Sequence, residues 1–463
     1  MSEFLESVSE AGAGPRDRVV LPPVEQMGRE VWSLAWPVIL SFALDSILSL
    51  AAMLMVGRLG AEAVGAVGLA TQILGAMRAG IGAVGTGTVA LVARYIGAND
   101  RDSAEEVLKQ SVIWGVIVGT LVAIPVIVFA HPLISLFRVK GPTAEMGARY
   151  LQVVMLSEPF AGIFFMCASA LRGAGDMRTP LWIGGIMDLL AIFLNYALIF
   201  GKFGFPALGV DGSALATLAV LSLGGLAFFW VLSFDGMVLN YRWERMRPDW
   251  GLGSRILRVG NPAAIEQLVI QFGFIAYVAF VASYGAKVVA AYFIGVRILA
   301  LSFLPGFGFS AAAATMVGQG LGAGDKEFSR RAGWLSMRMA IVMMTALGWV
   351  FIIFARQIAG LFIDDPAVIV NAIQFMRALG VAQPLMAIDW TTTGALRGAG
   401  DSRFPLWGSM AGFYGLRLFL TIVITYHHWP VAWVFWSLVP DFMVRSSLKS
   451  WRFRTGKWMT IKV

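Results

Sequence analysis

The sequence has little with which to build disulfides, metal centres or a solvated surface. Its 463 residues include a single cysteine, Cys167, so no intramolecular disulfide framework is available. There are three histidines, and charged residues make up 14% of the chain. Hydrophobic residues account for 58%, and the mean hydropathy is +0.74, so polar side chains are too few to cover a water-soluble protein of 50.0 kDa. The composition indicates a protein that crosses a membrane many times.

Apolar runs of about 20 residues recur along the chain, each long enough to cross a hydrocarbon layer of about 30 Å as a helix. The sequence therefore predicts an all-α integral membrane protein with about twelve transmembrane helices. The predicted spans lie near 32–56, 62–92, 108–130, 147–170, 180–201, 209–233, 257–283, 287–317, 332–354, 369–395, 404–425 and 430–449. The first thirty residues are polar and lack the apolar core of a signal peptide, so we expect a cytoplasmic tail there.

The net charge of +8 and the isoelectric point near 9.7 are explained by membrane topology. If the N-terminus is cytoplasmic, most Lys and Arg residues fall in segments on that side, and few fall in the outer loops. The inner set includes Arg172, Arg178, Arg397, Arg403 and a basic tail with Lys449, Arg452, Arg454 and Lys457. This asymmetry predicts a multi-pass protein of the cell (inner or plasma) membrane with both termini in the cytoplasm. No nucleic-acid partner is needed to account for the charge.

The chain contains an internal repeat. LRGAGDMRTP begins at Leu171 and LRGAGDSRFP at Leu396, so eight of ten residues recur at a displacement of 225. The same displacement relates Pro37 to Pro262, which indicates two copies of a six-helix unit. Because six is even, both copies enter from the same side, with a pseudo-two-fold axis along the membrane normal and a cavity between two lobes. The predicted divisions are a tail (1–30), a first lobe (31–233), a cytoplasmic linker (234–256), a second lobe (257–449) and a basic cytoplasmic tail (450–463).

Several motifs resemble those of multidrug and toxic compound extrusion (MATE) transporters. They are the paired LRGAGD-x-R-x-P turns, VGRLGAEAVGAVGLATQI from Val56, FGFPALGVDGSALAT from Phe203 and LPGFGFSAAAATMVGQGLGAGD from Leu304. The resemblance covers about residues 30–450 in order. It implies a two-lobed exporter that removes small amphipathic, mostly cationic organic compounds in exchange for protons or sodium ions. It also implies function as a monomer in the lipid bilayer, without a cofactor.

Four acidic residues break the repeat symmetry inside predicted helices. A charge at the centre of a membrane helix costs about 2.5–3.5 kcal/mol, so we expect each to face protein or a water-filled cavity. The acids and the residues at the equivalent positions are Asp45 with Ile270, Asp188 with Phe413, Glu266 with Ser41, and Asp389 with Phe164. Each is a candidate for the ion-coupling site.

A carboxylate suits ion coupling because it can hold a proton and release it when solvated or approached by a cationic compound. Its oxygens also suit a hard cation such as sodium. We favour the second-lobe pair Glu266 and Asp389 as the cation site, for protons or sodium, with Asp45 and Asp188 as the first-lobe alternatives. No other metal is expected.

The acids do not fall at the positions that the resemblance would give them. Family members with an acid in the first helix commonly place Asp five residues before the glycine that here is Gly57, but this chain has Ala52 there. Asp45 lies seven residues earlier, about two turns along the helix. Glu266 stands one turn nearer Pro262 than the glutamate of another branch of the family. Either lobe can therefore contain the coupling site.

The other candidates are polar residues of the cavity and of the repeated turns. Candidates for the cavity wall are Gln72, Asn195, Gln267 and Arg297, and candidates for a structural turn or cytoplasmic gate are Arg172, Asp176, Arg397 and Asp401. A lipid-linked oligosaccharide flippase of the same superfamily is an alternative, with Arg297 or Arg417 receiving phosphates. An intramembrane enzyme is a remote alternative, because the sequence contains no HExxH, GxSxG or P-loop motif. We therefore expect a transporter that performs no catalysis and uses an ion gradient.

Overall fold

The computed structural model describes residues 21–137, 139–234, 237–240 and 247–461, and its regular elements there are helices. Ten of them are long and apolar enough to cross a membrane, and a bent pair makes an eleventh candidate. The predicted all-α membrane fold is confirmed. The span predicted at 430–449 forms two shorter helices, Val431–Trp436 and Leu438–Arg454, which meet at Ser437.

The chain divides into two compact units. The first unit includes Leu40–Asn261, and the second includes Val20–Ile39 and Pro262–Val463. The helices up to the linker are α1 (Met27–Gly57), α2 (Ala61–Gly97), α3 (Arg101–Val128), α4 (Ala130–Ser135), α5 (Pro142–Met155), α6 (Glu158–Ala174), α7 (Arg178–Phe200) and α8 (Val210–Leu232). Those after it are α9 (Trp250–Ala282), α10 (Ala286–Gly322), α11 (Lys326–Ile353), α12 (Ala355–Gly360), α13 (Pro366–Gly398), α14 (Arg403–Gly412), a π-turn (Phe413–Leu418), α15 (Phe419–Tyr426), α16 (Val431–Trp436) and α17 (Leu438–Arg454).

Two long helices each contribute to both units. Helix α1 changes unit between Ile39 and Leu40, shortly after Pro37, and α9 changes between Asn261 and Pro262. The two prolines are related by the repeat displacement. A proline inside a helix removes a backbone hydrogen bond and favours a kink, so the equivalent prolines mark the places where these helices leave one unit for the other.

Equivalent residues begin equivalent helices in the two repeats. The Asp100 side chain accepts a hydrogen bond from the Ser103 amide at 3.1 Å and caps α3. The Asp325 side chain accepts one from the Phe328 amide at 2.8 Å and caps α11. A carboxylate at this position satisfies an amide that the first helical turn leaves without a partner. The repeat therefore extends from the sequence to the local hydrogen bonding.

The two repeats differ at one pair of equivalent prolines. In the first unit the helix is broken before Pro159, and α5 and α6 meet at an angle of 51°. In the second unit Pro384 lies inside the continuous helix α13. Beside the break, the Glu158 carboxylate is 1% exposed and accepts a hydrogen bond from Arg78 Nε at 3.1 Å. Gln383 is the equivalent of Glu158 and instead donates to Ser302 Oγ at 2.5 Å.

The predicted linker is held along α3 where the structure describes it. Arg101 donates to the Met237 carbonyl, and Gln110 Nε2 donates to the Arg247 carbonyl at 2.9 Å. The Asp249 amide donates back to Gln110 Oε1 at 2.8 Å. Linker residues 235–236 and 241–246, tail residues 1–20 and residues 462–463 lie outside the described ranges.

The described part of the predicted basic tail, up to residue 461, packs within the second unit. Helix α17 continues to Arg454, beyond the predicted end of the last span at 449. Trp458 follows, is fully buried and stacks on Phe453 with ring centroids 4.7 Å apart. Its indole Nε1 donates to the Phe453 carbonyl at 2.7 Å. Phe453 and Trp458 are therefore part of a hydrophobic core cluster of this unit.

Candidate functional site

Glu266 and Asp389 lie in the same buried cluster of the second unit. Glu266 is on α9 and is 5% exposed, and Asp389 is on α13 and is 4% exposed. The ammonium of Lys449, on α17, lies 2.6 Å from Asp389 Oδ1 and 3.8 Å from Glu266 Oε1. The structure thus brings the favoured pair of acids to the two sides of one lysine.

Hydroxyl groups complete the surroundings of the Lys449 ammonium. Its Nζ donates to Thr393 Oγ1 at 2.9 Å and to Ser409 Oγ at 3.0 Å. Ser409 in turn donates to Glu266 Oε1 at 2.5 Å. Lys449 is 1% exposed, although from the sequence we grouped it with the basic residues of the cytoplasmic tail. The extension of α17 explains the difference, because it places Lys449 on a helix face that packs against α13 and α14.

Arg397 joins the repeated turn to this cluster. Its Nη2 donates to Glu266 Oε2 at 2.7 Å, so the turn arginine of the second repeat is an ion-pair partner of a candidate coupling acid. Two carboxylates, Glu266 and Asp389, therefore face two cations, Lys449 and Arg397. Such a balance is what burial requires, because an unpaired charge in a low-dielectric interior is costly.

The aspartates of the two repeated turns have different partners. Asp176 is 8% exposed, and its Oδ1 accepts hydrogen bonds from the amides of Arg178 and Thr179 at 3.0 and 2.9 Å. Asp401 is 6% exposed and pairs with Arg452 Nε at 2.8 Å. The preceding glycines, Gly175 and Gly400, have φ values of 96° and 88°, which a residue with a Cβ rarely adopts. The two turns thus share a glycine with positive φ, but their aspartates have different partners.

The first-unit acids are more accessible than the second-unit pair. Asp45 on α1 is exposed, and Asp188 on α7 is half-buried. Asp45 interacts electrostatically with Arg172, the first-repeat equivalent of Arg397, and with Asp188. Each unit therefore combines two acids with the arginine of its own turn.

The candidates for a cavity wall differ in accessibility. Gln72, Gln267 and Arg297 are exposed. Asn195 is 4% exposed, and its Nδ2 donates to the Ala191 carbonyl in its own helix at 2.8 Å. The three exposed side chains thus differ from Asn195, which is partly engaged by its own backbone.

Sequence reasoning missed several buried charges. Lys449 and the Glu158–Arg78 pair were not among the predicted site residues, nor was Asp441, which is fully buried and accepts a hydrogen bond from Arg445 Nε at 2.5 Å. Comparison of the two repeats could have identified these residues, because in each case the equivalent position of the other repeat holds an uncharged residue. Glu158 and Asp441, for example, correspond to Gln383 and Ala216.

Arg417 lies in the π-turn and is 2% exposed. Its guanidinium packs 4.3 Å from the centroid of the Tyr277 ring, and its Nη1 is 3.8 Å from Asp441 Oδ2. A guanidinium over an aromatic face gains a cation–π attraction that is strengthened by burial. The surroundings of Arg417 are thus aromatic and acidic in this structure.

Within the described ranges, no group of three or more His, Cys, Asp or Glu side chains is placed to hold a metal ion. A shallow pocket of about 390 Å³ lies in the first unit, lined partly by Tyr95, Asp249 and Arg255. It contains none of the predicted site residues.

The sequence matches the family model MatE twice, over residues 37–197 and 262–423. The two matches begin at positions that differ by the repeat displacement. Among curated proteins, the chain is 30% identical over 440 residues to "Probable multidrug resistance protein NorM" of Thermotoga maritima, and the alignment covers 94% of each chain. It is 28% identical over 446 residues to "Multidrug resistance protein NorM" of Burkholderia vietnamiensis, covering 93% of this chain and 95% of that one.

Solved structures share the fold. One is a transporter of the MOP superfamily from Pyrococcus furiosus, with a TM-score of 0.87 and 22% identity over 96% of this chain and all of the other. Another is described as the outward-facing conformation of a multidrug resistance MATE family transporter, with a TM-score of 0.86 and 22% identity over 93% of this chain and 97% of that one. At this identity the similarity establishes the fold.

Proposed function

We propose that this chain, which belongs to the MatE family, is a secondary active multidrug exporter. Its cargo is a range of small amphipathic, mostly cationic organic compounds, and the driving force is the inward movement of protons or sodium ions. The names of the relatives, multidrug resistance proteins, support the cargo class. Alternating access supplies the mechanism, because cargo and ion bias which way the transporter opens.

The observation that carries this proposal is the pair of acids in each unit. Four carboxylates in apolar helices are costly, and acids at such positions mark ion pathways in membrane proteins. Glu266 and Asp389 are the pair that we propose for coupling, because they lie together in one buried cluster. The coupling ion and a cationic cargo carry the same sign of charge, so their binding is mutually opposed, and this opposition couples their movements.

The proposed exporter works as a monomer in the plasma membrane, with both termini in the cytoplasm. This orientation places the repeated turns on the cytoplasmic side. Arg397 would then connect the turn of the second repeat to the proposed coupling acid Glu266, at the 2.7 Å ion pair described above. A change in the charge of Glu266 would directly alter its ion pair with Arg397 at that turn.

The test is transport by the purified protein in liposomes loaded with a fluorescent organic cation. Either a pH gradient or a sodium gradient is imposed, and the movement of the dye is followed. Dye movement that follows one gradient and stops when an ionophore collapses it supports the proposal. If neither gradient moves any of several cationic dyes in vesicles that contain correctly folded protein, the proposal is wrong.

A further inference from the structure

Lys449 occupies the position that a bound cation would take between Glu266 and Asp389. Four oxygen atoms surround its Nζ: Asp389 Oδ1 at 2.6 Å, Thr393 Oγ1 at 2.9 Å, Ser409 Oγ at 3.0 Å and Glu266 Oε1 at 3.8 Å. The ammonium donates hydrogen bonds to the two hydroxyl groups and forms an ion pair with Asp389 Oδ1. The oxygens come from α9, α13 and α14, while the ammonium comes from α17.

Within the cluster of Glu266, Asp389, Lys449 and Arg397 the charges are already balanced, and Asp441, which acts electrostatically on Asp389, is itself paired with Arg445. Lys449 and Arg397 supply two positive charges, and Glu266 and Asp389 supply two negative charges. A metal cation that entered this cluster would add a buried charge without a partner, and it would also have to displace the ammonium from its oxygens. Both requirements oppose binding, because an uncompensated charge in a buried site is unfavourable.

The first unit shows that the fold does not need charges at this helix crossing. The positions equivalent to Asp389 and Lys449 are Phe164 and Gly224. They also meet, because a Cβ added at Gly224 would lie 2.7 Å from Phe164 Cδ2. An aromatic ring against a glycine therefore fills in one unit the space that an ion pair fills in the other.

We propose that Lys449 is a built-in cation that excludes sodium and other metal ions from the Glu266–Asp389 cluster. Where this cluster is the coupling site, a point that rests on the proposed function, the coupling ion is then a proton. Lys449 acts as a specificity-determining residue. Without its ammonium, the oxygens of the two carboxylates would be suitable ligands for a hard metal cation.

The experiment measures sodium binding to purified protein, without cargo or gradient, by equilibrium binding of radioactive sodium with choline as the replacement cation. Lys449→Ala removes the ammonium and leaves space, and we expect a saturable sodium component that the wild type lacks. Lys449→Met removes the charge but fills the space, so it should gain little, and Lys449→Arg should exclude sodium as the wild type does. Lys457→Ala, which changes an exposed lysine just beyond α17, is the matched control and should bind sodium as the wild type does.

Two further variants sharpen the test. Adding Asp389→Asn to Lys449→Ala should abolish the new sodium component. Asp389→Asn alone, which can be measured even if Lys449→Ala folds poorly, should leave any sodium binding of the wild type unchanged. If folded Lys449→Ala binds no more sodium than the wild type, or if Asp389→Asn lowers the sodium binding of the wild type, the inference is wrong. Because no transport is measured, it can fail while the proposed exporter still works, and it can hold if the exporter does not.

Discussion

Phe164 lies against Gly224 in the first unit, at the place where Asp389 pairs with Lys449 in the second. The two pairs are related by the repeat displacement, so one helix crossing is filled by apolar contact in one copy and by an ion pair in the other. The architecture is shared by the repeats, whereas the chemistry belongs to one of them. In this duplicated fold, candidate functional residues are therefore found at positions where the two copies carry different side chains.

Lys449→Ala is predicted to destabilise the protein strongly. Removal of one partner from a buried ion pair leaves the opposite charge without compensation, and such losses cost about 3–5 kcal/mol. The measurement is the unfolding temperature in detergent, followed for the single variants and for Lys449→Ala with Asp389→Asn. We expect the double variant to lose less than the sum of the single variants, because neutralising Asp389 removes the orphaned charge. Strictly additive losses would show that the two residues do not interact.

Glu266→Gln with Asp389→Asn is predicted to abolish gradient-driven dye movement. Asp45→Asn with Asp188→Asn is the matched comparison, because it neutralises the two acids of the first unit and leaves the second-unit cluster intact. We expect this second variant to keep gradient-driven movement, measured in the same liposomes. Loss in the first-unit variant with retention in the second-unit variant would assign coupling to Asp45 and Asp188 instead.

Gly162→Ala is predicted to destabilise the first unit. Helices α3 and α6 approach closely at this point, and a Cβ on Gly162 would lie 2.5 Å from the Gly115 carbonyl oxygen. Overpacking of this kind costs about 1–3 kcal/mol. Gly184→Ala is the control, because its Cβ would meet nothing within 4 Å. An unfolding temperature that falls for Gly162→Ala and not for Gly184→Ala checks the prediction, whereas equal values would contradict the close approach.

Trp458→Ala is predicted to release the end of the chain from the second unit. The side chain is fully buried against Phe453, and loss of a buried tryptophan costs about 3–5 kcal/mol. Limited proteolysis should then cut the chain after α17 sooner than in the wild type. Lys457→Ala, at the neighbouring exposed position, should be cut at the wild-type rate. If Trp458→Ala is as resistant as the wild type, the tail is held by other contacts.

The repeat made much of the fold predictable from the sequence. Asp100 and Asp325, found at one displacement, cap equivalent helices, and the paired LRGAGD stretches form equivalent turns with Gly175 and Gly400 at positive φ. These features depend on local sequence, since a cap or a tight turn involves residues close together in the chain. For that reason, features of this kind are predictable from a single sequence.

The partners of the acids could not be predicted in the same way. Lys449 stands near several other basic residues at the end of the last helix, and from the sequence it reads as part of a cytoplasmic tail. Its pairing with Asp389 joins residues sixty positions apart on two helices, and it depends on where α17 ends and which face it turns inward. Helix boundaries are the least certain part of a sequence-based prediction, and a shift of a few residues moves a side chain from solvent to core.

The central claim, that the second-unit acids couple proton entry to cargo export, is tested most directly by dye flux in two sets of liposomes. One set carries a pH gradient without sodium, and the other carries a sodium gradient at equal pH. We predict that the wild type moves the dye under the pH gradient and not under the sodium gradient, and that Glu266→Gln with Asp389→Asn moves it under neither. Sodium-driven movement that persists in the double variant would contradict the account.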